Sequence, residues 1–92
     1  MSSKMPIVRC QVEIHDPCGL GMRTAARFIG LAGQFHSEIW VIHEGRRYNG
    51  KSLRDLMTIV AECGSRLELQ ALGPDAEAAV TALAREVQLC PV

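Results

Sequence analysis

Three side chains able to accept a transferable group lie close together in the chain: the imidazole of His15, the thiol of Cys18 and the hydroxyl of Thr24. Each needs a neighbouring base to become a competent nucleophile, and no residue spacing identifies one. Each also has an ordinary structural part to play. His15 ends a strand as a surface or capping group, Cys18 is a small half-buried loop residue, and Thr24 is a first-turn hydroxyl that bonds the backbone. Arg23 stands among them with a fork of donors suited to phosphate or carboxylate. A helix N-terminus is an unfavourable place for a cation by the helix dipole, which favours a binding use for this one.

A second chemical signal is Ser52-x-x-Asp55, a serine followed three positions later by an acid, which marks a helix N-terminus. The serine hydroxyl caps the helix, contributing about 1 kcal/mol. A phosphate there is favoured by the helix end and opposed by Asp55. Cys10, Cys18, Cys63 and Cys90 include no Cys-x-x-Cys pair, and His36 and His43 show no ligand spacing, so both histidines read as structural or surface residues. No metal and no cofactor are expected, and the thiols are expected reduced rather than paired.

The elements that must position these groups follow from periodicity. Alternation over residues 8–14, with Val8, Cys10, Val12 and Ile14 on one side, predicts a half-buried strand, and Pro17 and Gly19 then predict a loop. Ala25, Phe28, Ile29, Ala32 and Phe35 recur at helical spacing and predict a helix over about residues 22–34. Residues 38–43 and 46–48 read as a hairpin turning at Gly45. A short helix begins after Ser52, bearing Leu56, Met57, Ile59 and Val60. Leu67, Leu69 and Ala71 alternate in a last strand, and Gly73-Pro74-Asp75 opens a last helix with Ala76, Ala79, Val80, Leu83 and Val87 on one stripe. The order βαββαβα predicts an α+β, open-faced two-layer sandwich, its antiparallel sheet covered on one face by three helices. A ferredoxin-like module would fit the same pattern.

Length and charge limit what such a sandwich can do. The 92 residues are expected to form one domain, burying roughly 60 to 65% of the unfolded surface. Hydrophobic residues make up 48% of the chain but aromatic ones only 4%, so the core rests on aliphatic side chains. Ten basic and ten acidic residues cancel, and no like-charge run exceeds Arg46-Arg47, which argues against nucleic acid or anionic lipid as partners. The first twenty residues hold no long apolar stretch and no segment could span a bilayer, so the cytosol is the expected location, without membrane insertion.

The run Gly19-Leu20-Gly21-Met22-Arg23-Thr24-Ala25 resembles the active loop of HPr phosphocarrier proteins, which reads Gly-(Leu/Ile)-His-Ala-Arg-Pro-Ala where their first helix begins. The similarity extends through Lys51-Ser52-Leu53 and Leu67-Glu68-Leu69 into residues 73–79, from about Ile7 to Val87. It implies the four-stranded HPr fold and a link to the phosphoenolpyruvate-dependent sugar phosphotransferase system. Proteins of this family take a phosphoryl group from an enzyme charged by phosphoenolpyruvate and pass it to sugar-transport proteins, with an imidazole as acceptor. Here Gly21 stands where that histidine belongs, and Met22 and Thr24 also depart from the motif.

What remains, as the resemblance implies, is an anion-binding frame of Met22, Arg23 and Thr24 at a helix N-terminus, with no catalytic residue. Ser52 matches the serine that an ATP-dependent kinase phosphorylates in some HPr proteins and in the catabolite-repression protein Crh, an HPr-like protein without the histidine. Leu20, Leu53, Arg54 and Met57 match the family's partner-docking surface, with Arg54 in place of a large apolar residue and so able to change which partner docks.

The expectation is therefore a regulatory or protein-binding module that turns over no substrate by itself. Its partners would be enzyme I-like, a sugar-transport component, a serine kinase or a transcription regulator. Two alternatives stand beside it: a phosphocarrier using Cys18, Thr24 or His15 as acceptor, and a purely structural interaction domain.

Overall fold

A computed structural model describes residues 6–88. Strand β1 (Val8–Glu13) is followed by helix α1 (Met22–Ala32), strands β2 (Glu38–His43) and β3 (Arg46–Asn49), helix α2 (Leu53–Met57), strand β4 (Arg66–Leu72) and helix α3 (Ala76–Gln88). The strands form one antiparallel sheet in the order β1-β4-β2-β3. The α+β sandwich expected from the periodicity is the fold observed.

Register carries the alternation through the sheet. Val12 lies opposite Leu67, Cys10 opposite Leu69, and Val41 opposite Leu69 from the other side, so the apolar residues of three strands share one face. That face packs against the helical stripes. Phe28 of α1, Leu56 of α2 and Leu83 of α3 are all essentially inaccessible to solvent, and they join Ile14, Ile39 and Leu69 in one core. The other face carries Arg9, Gln11, Trp40, Glu68, Gln70 and Arg47, of which Arg9 and Gln11 on β1 and Arg47 on β3 are exposed and Trp40, Glu68 and Gln70 are half-buried.

The hairpin between β2 and β3 turns on two residues, Glu44 with φ 49° and Gly45 with φ 78°. Two successive left-handed residues match the right-handed twist of the strands they join, and a glycine at the second makes the turn inexpensive.

Several boundaries and placements differ from the sequence expectation. Helix α1 stops at Ala32, because Gln34 N–H donates to Leu31 O and Phe35 N–H to Ala32 O, a tightened final turn that cannot continue as α-helix. Phe35 still packs half-buried against the core. Helix α2 stops at Met57 in the same way: Ile59 N–H reaches Leu56 O, and the Thr58 hydroxyl takes the Asp55 carbonyl at 2.6 Å. Ile59 turns inward, while Val60 is left 85% exposed. His43 points to the helix side of the sheet and is buried. Cys10, Cys18 and Cys63 are free thiols, and Cys90 lies outside the described residues.

Candidate functional site

The loop between β1 and α1 is organised by one carboxylate. Asp16 is buried; its Oδ1 accepts the N–H of Cys18 at 2.9 Å, and its Oδ2 accepts the hydroxyl of Thr24 at 2.8 Å. The first bond closes an Asx turn, for which Asp-Pro is a favoured opening, and the second ties the turn to the first turn of α1. Those two bonds, the Cys18 N–H ahead of the Thr24 hydroxyl, hold the Asp16 carboxyl below the ordinary value of 3.8; the nearby charges of Arg23 and Arg27 act in the same direction. Nothing in the residue pattern had assigned Asp16 this part, although Asp-Pro before a helix start is the signal that could have done so.

A second tie runs to the segment before β4. Leu20 N–H donates to Ala61 O at 2.9 Å, and Gly64 N–H to Ile14 O at 2.7 Å. Gly19 makes this approach possible: its φ is 71°, and a Cβ there would lie 2.3 Å from Ala61 O. Leu20, expected on the docking surface, is instead drawn into the core at 9% exposure by that same strand-like contact.

Gly21 is the N-cap of α1, extended at φ −93° and ψ −177°, and supplies no side-chain cap. A Cβ added there would meet nothing within 4 Å. No acidic residue lies in the first turn. Residues Asp16, Pro17, Cys18, Gly21, Met22, Arg23 and Thr24 line an open cleft of about 390 Å³ at this helix end. Arg23 is exposed beside it, and the backbone N–H groups of the first turn provide the positive end of the helix dipole. The arrangement can hold an anion; it offers no nucleophile at the cap.

The three side chains considered as acceptors are not brought together as a reactive set. Thr24 is buried, and its hydroxyl donates to Asp16 rather than to the backbone as expected. A carboxylate held in its charged form by hydrogen bonds is a poor base for that hydroxyl. His15 sits at the opposite end of the loop, where Nδ1 is 3.0 Å from the carbonyl of Gln88 in the last turn of α3. Since a carbonyl only accepts, Nδ1 carries the proton, and the ring caps that helix. Cys18 is exposed rather than half-buried.

Ser52 is the N-cap of α2, and its Oγ accepts the N–H of Asp55 at 3.2 Å. The Asp55 carboxylate does not return the bond to Ser52. Its Oδ2 accepts the N–H of Asn49 at 3.0 Å, while Ser52 N–H donates to Asn49 O. Helix α2 packs against α1, and the apolar side chains left exposed at this end of the molecule are Met22 at 59%, Leu53 and Met57 at 39%, and Val60. Leu53, Arg54 and Met57 are exposed on α2. Val60, beyond the end of α2, is exposed as well.

Fold, loop and serine helix together correspond to one known family. A family model described as the PTS HPr component phosphorylation site matches residues 8–88. The chain belongs to the HPr family. It is 38% identical over 77 residues to the phosphocarrier protein HPr of Neisseria meningitidis, covering 84% of this chain and 86% of that one. It is also 34% identical over 82 residues to the HPr-like protein Crh of Bacillus subtilis, covering 89% of this chain and 96% of that one. The crystal structure of HPr from Bacillus anthracis superimposes with a TM-score of 0.85 at 35% identity, covering 89% of this chain and 98% of that one. Like the relatives, this HPr-family chain is related to the phosphotransferase system. Among its described residues no group of metal-ligating side chains could hold an ion, and no helix is long and apolar enough to cross a membrane.

Proposed function

We propose that this HPr-family protein acts as a regulatory, protein-binding member and not as a histidine phosphocarrier. The observation that carries the reading is Gly21 at the N-cap of α1, where the family motif has its phosphoacceptor histidine and this chain has no side chain. The frame around it keeps Arg23 and an uncapped helix end, now tied to the loop by the Asp16–Thr24 bond at the position where the family motif has proline. Met22, Arg23 and Thr24 hold an anion through the first-turn N–H groups and the guanidinium, with Thr24 contributing its backbone.

Control then passes to Ser52. A phosphate on its Oγ would meet the dipole of α2 and displace the bond from Asp55 N–H, altering the start of the helix that presents Leu53, Arg54 and Met57 to a partner. Partners of this kind would be a serine kinase, a transcription regulator, or an enzyme I-like or sugar-transport protein. The resemblance to the HPr-like protein Crh supports this reading.

Intact mass after two separate reactions tests the proposal. Incubation with enzyme I and phosphoenolpyruvate is expected to leave the mass unchanged; uptake of a phosphoryl group would refute the proposal and revive Cys18, Thr24 or His15 as acceptor. Incubation with ATP and the serine kinase is expected to add one phosphoryl group that Ser52→Ala cannot accept. Absence of labelling in both reactions would reduce the protein to an interaction domain.

A further inference from the structure

Away from the helix end at Gly21, the helix-free face of the sheet carries a second cationic concavity. Trp40 of β2 lies opposite Asn49 of β3, and Ile42 opposite Arg47, so Trp40, Arg47 and Asn49 all project to this outer face. His36 and Glu38 precede Trp40, Lys51 follows Asn49, and together these residues line a cleft of about 350 Å³.

The two cations are held by uncharged groups. The guanidinium of Arg47 sits 4.3 Å from the centroid of the Trp40 ring. Lys51 Nζ donates to the carbonyl of Phe35 at 2.6 Å, and Lys51 N–H to Asn49 Oδ1 at 2.9 Å. Among the described residues the ion pairs formed are Arg9 with Glu68 and His15 with Glu13, neither of which involves Arg47 or Lys51. In a chain with as many acids as bases, two cations fixed around one cleft by a ring and a carbonyl keep their charge available. Glu38 lines the cleft, and the carboxylates of Asp75, on His36 and Ser37, and of Asp55, on Asn49 N–H, lie against its wall; all three oppose an anionic ligand.

We propose that this cleft is a binding site for a small phosphate-bearing molecule. Arg47 provides paired donors for phosphate oxygens, Lys51 a point charge, and Asn49 and His36 further polar groups, while Trp40 provides an apolar wall for the ligand's carbon skeleton. A cleft of this volume lies within the range of small-molecule sites. The cleft lies apart from the one at Gly21 and adjoins the Ser52 cap through the bond from Ser52 N–H to Asn49 O; the proposal does not rest on the function proposed above.

Trp40 is the chain's one tryptophan, so its fluorescence reports on this cleft alone. Titration with inorganic phosphate, pyrophosphate and ATP, each without metal, is expected to give a saturable change with at least one of them, accompanied by amide shifts at His36, Asn49 and Lys51 in heteronuclear NMR. Saturation with ATP but not with the inorganic ions assigns a binding role to the carbon skeleton as well. Loss of one charge-assisted contact predicts about tenfold weaker binding in Arg47→Ala and in Lys51→Ala. Glu38→Gln is expected to bind more tightly. Arg66→Ala, on the same face outside the cleft, is expected to bind like the parent. Because Arg47→Ala also removes a group from the tryptophan ring, affinities are compared by the NMR shifts. No saturable response up to about 10 mM, near the weak limit of small-ligand sites, would overturn the proposal. So would equal weakening by Arg66→Ala, or shifts centred on residues 21–24.

Discussion

At the scale of single residues, two glycines in one loop have opposite meanings. Gly19 is required: its backbone is left-handed, and a side chain would strike the Ala61 carbonyl. Gly19→Ala is therefore expected to lower stability by about 1–3 kcal/mol, seen as an earlier urea midpoint, since strain and clash add. Gly21 is extended and open, so nothing structural demands glycine there. Gly21→His is expected to fold as the parent does and to place an imidazole at the helix N-terminus, beside Arg23. Incubated with enzyme I and phosphoenolpyruvate, this variant is expected to gain a phosphoryl group that the parent does not. A variant that folds but stays unlabelled would mean that Met22 and Thr24 have altered the frame as well. Glycine at the position of the family's histidine is plain from the residue list, but the difference between an indispensable glycine and a replaceable one two positions later is not. It depends on Ala61, which is distant in the chain.

At the scale of elements, α2 joins Ser52 to the exposed side chains of Leu53, Arg54 and Met57. Its five residues make too short a helix to stand on propensity, so its cap and its packing against α1 hold it. Ser52→Ala is expected to cost about 1 kcal/mol in a denaturant melt, and Thr at this position to recover most of it. Met57→Ala removes a side chain that is 39% exposed, so it should change thermal stability little while weakening capture of the serine-phosphorylated protein by its regulator. An equal loss of stability and binding would place Met57 in the core instead. The capping signal at Ser52 and the stripe of α1 were readable because both depend on near neighbours in the chain. The ends of α1 and α2 were not, because apolar periodicity continues past the point where i→i+3 bonds tighten the last turn.

For the molecule as a whole, two carboxylates, the buried Asp16 and the half-buried Asp75, couple separate segments. Asp16 joins the loop after β1 to α1, and Asp75 accepts the N–H groups of His36 and Ser37 and the Ser37 hydroxyl, fastening the start of β2 to the start of α3. Both carboxyls are held below the ordinary value of 3.8, Asp75 chiefly by the Ser37 hydroxyl and Asp16 chiefly by the Cys18 N–H. The unfolded chain then binds these protons more readily than the folded one. Their stabilisation is complete above the unfolded value and is lost as pH falls through the lower folded values. Urea midpoints measured from about pH 6 down to about pH 2 are expected to fall, and to fall less steeply in Asp16→Asn combined with Asp75→Asn, whose midpoint at neutral pH is already lower. A parallel decline in parent and double variant would assign the acid sensitivity to other groups.

Local pattern alone determined much of this protein. Alternation set the strand faces, a helical stripe set what each helix buries, and a seven-residue loop motif identified the family and exposed the missing histidine, because each is written over a few consecutive residues. Tertiary structure decided the rest. It turned Thr24 from a backbone-bonded hydroxyl into a partner of Asp16, drew Leu20 inward, placed His15 on the end of α3, and gathered Arg47, Lys51 and Trp40 around one cleft. Each of these depends on a contact between segments that meet only when the sheet closes, and no periodicity along the chain records such a contact.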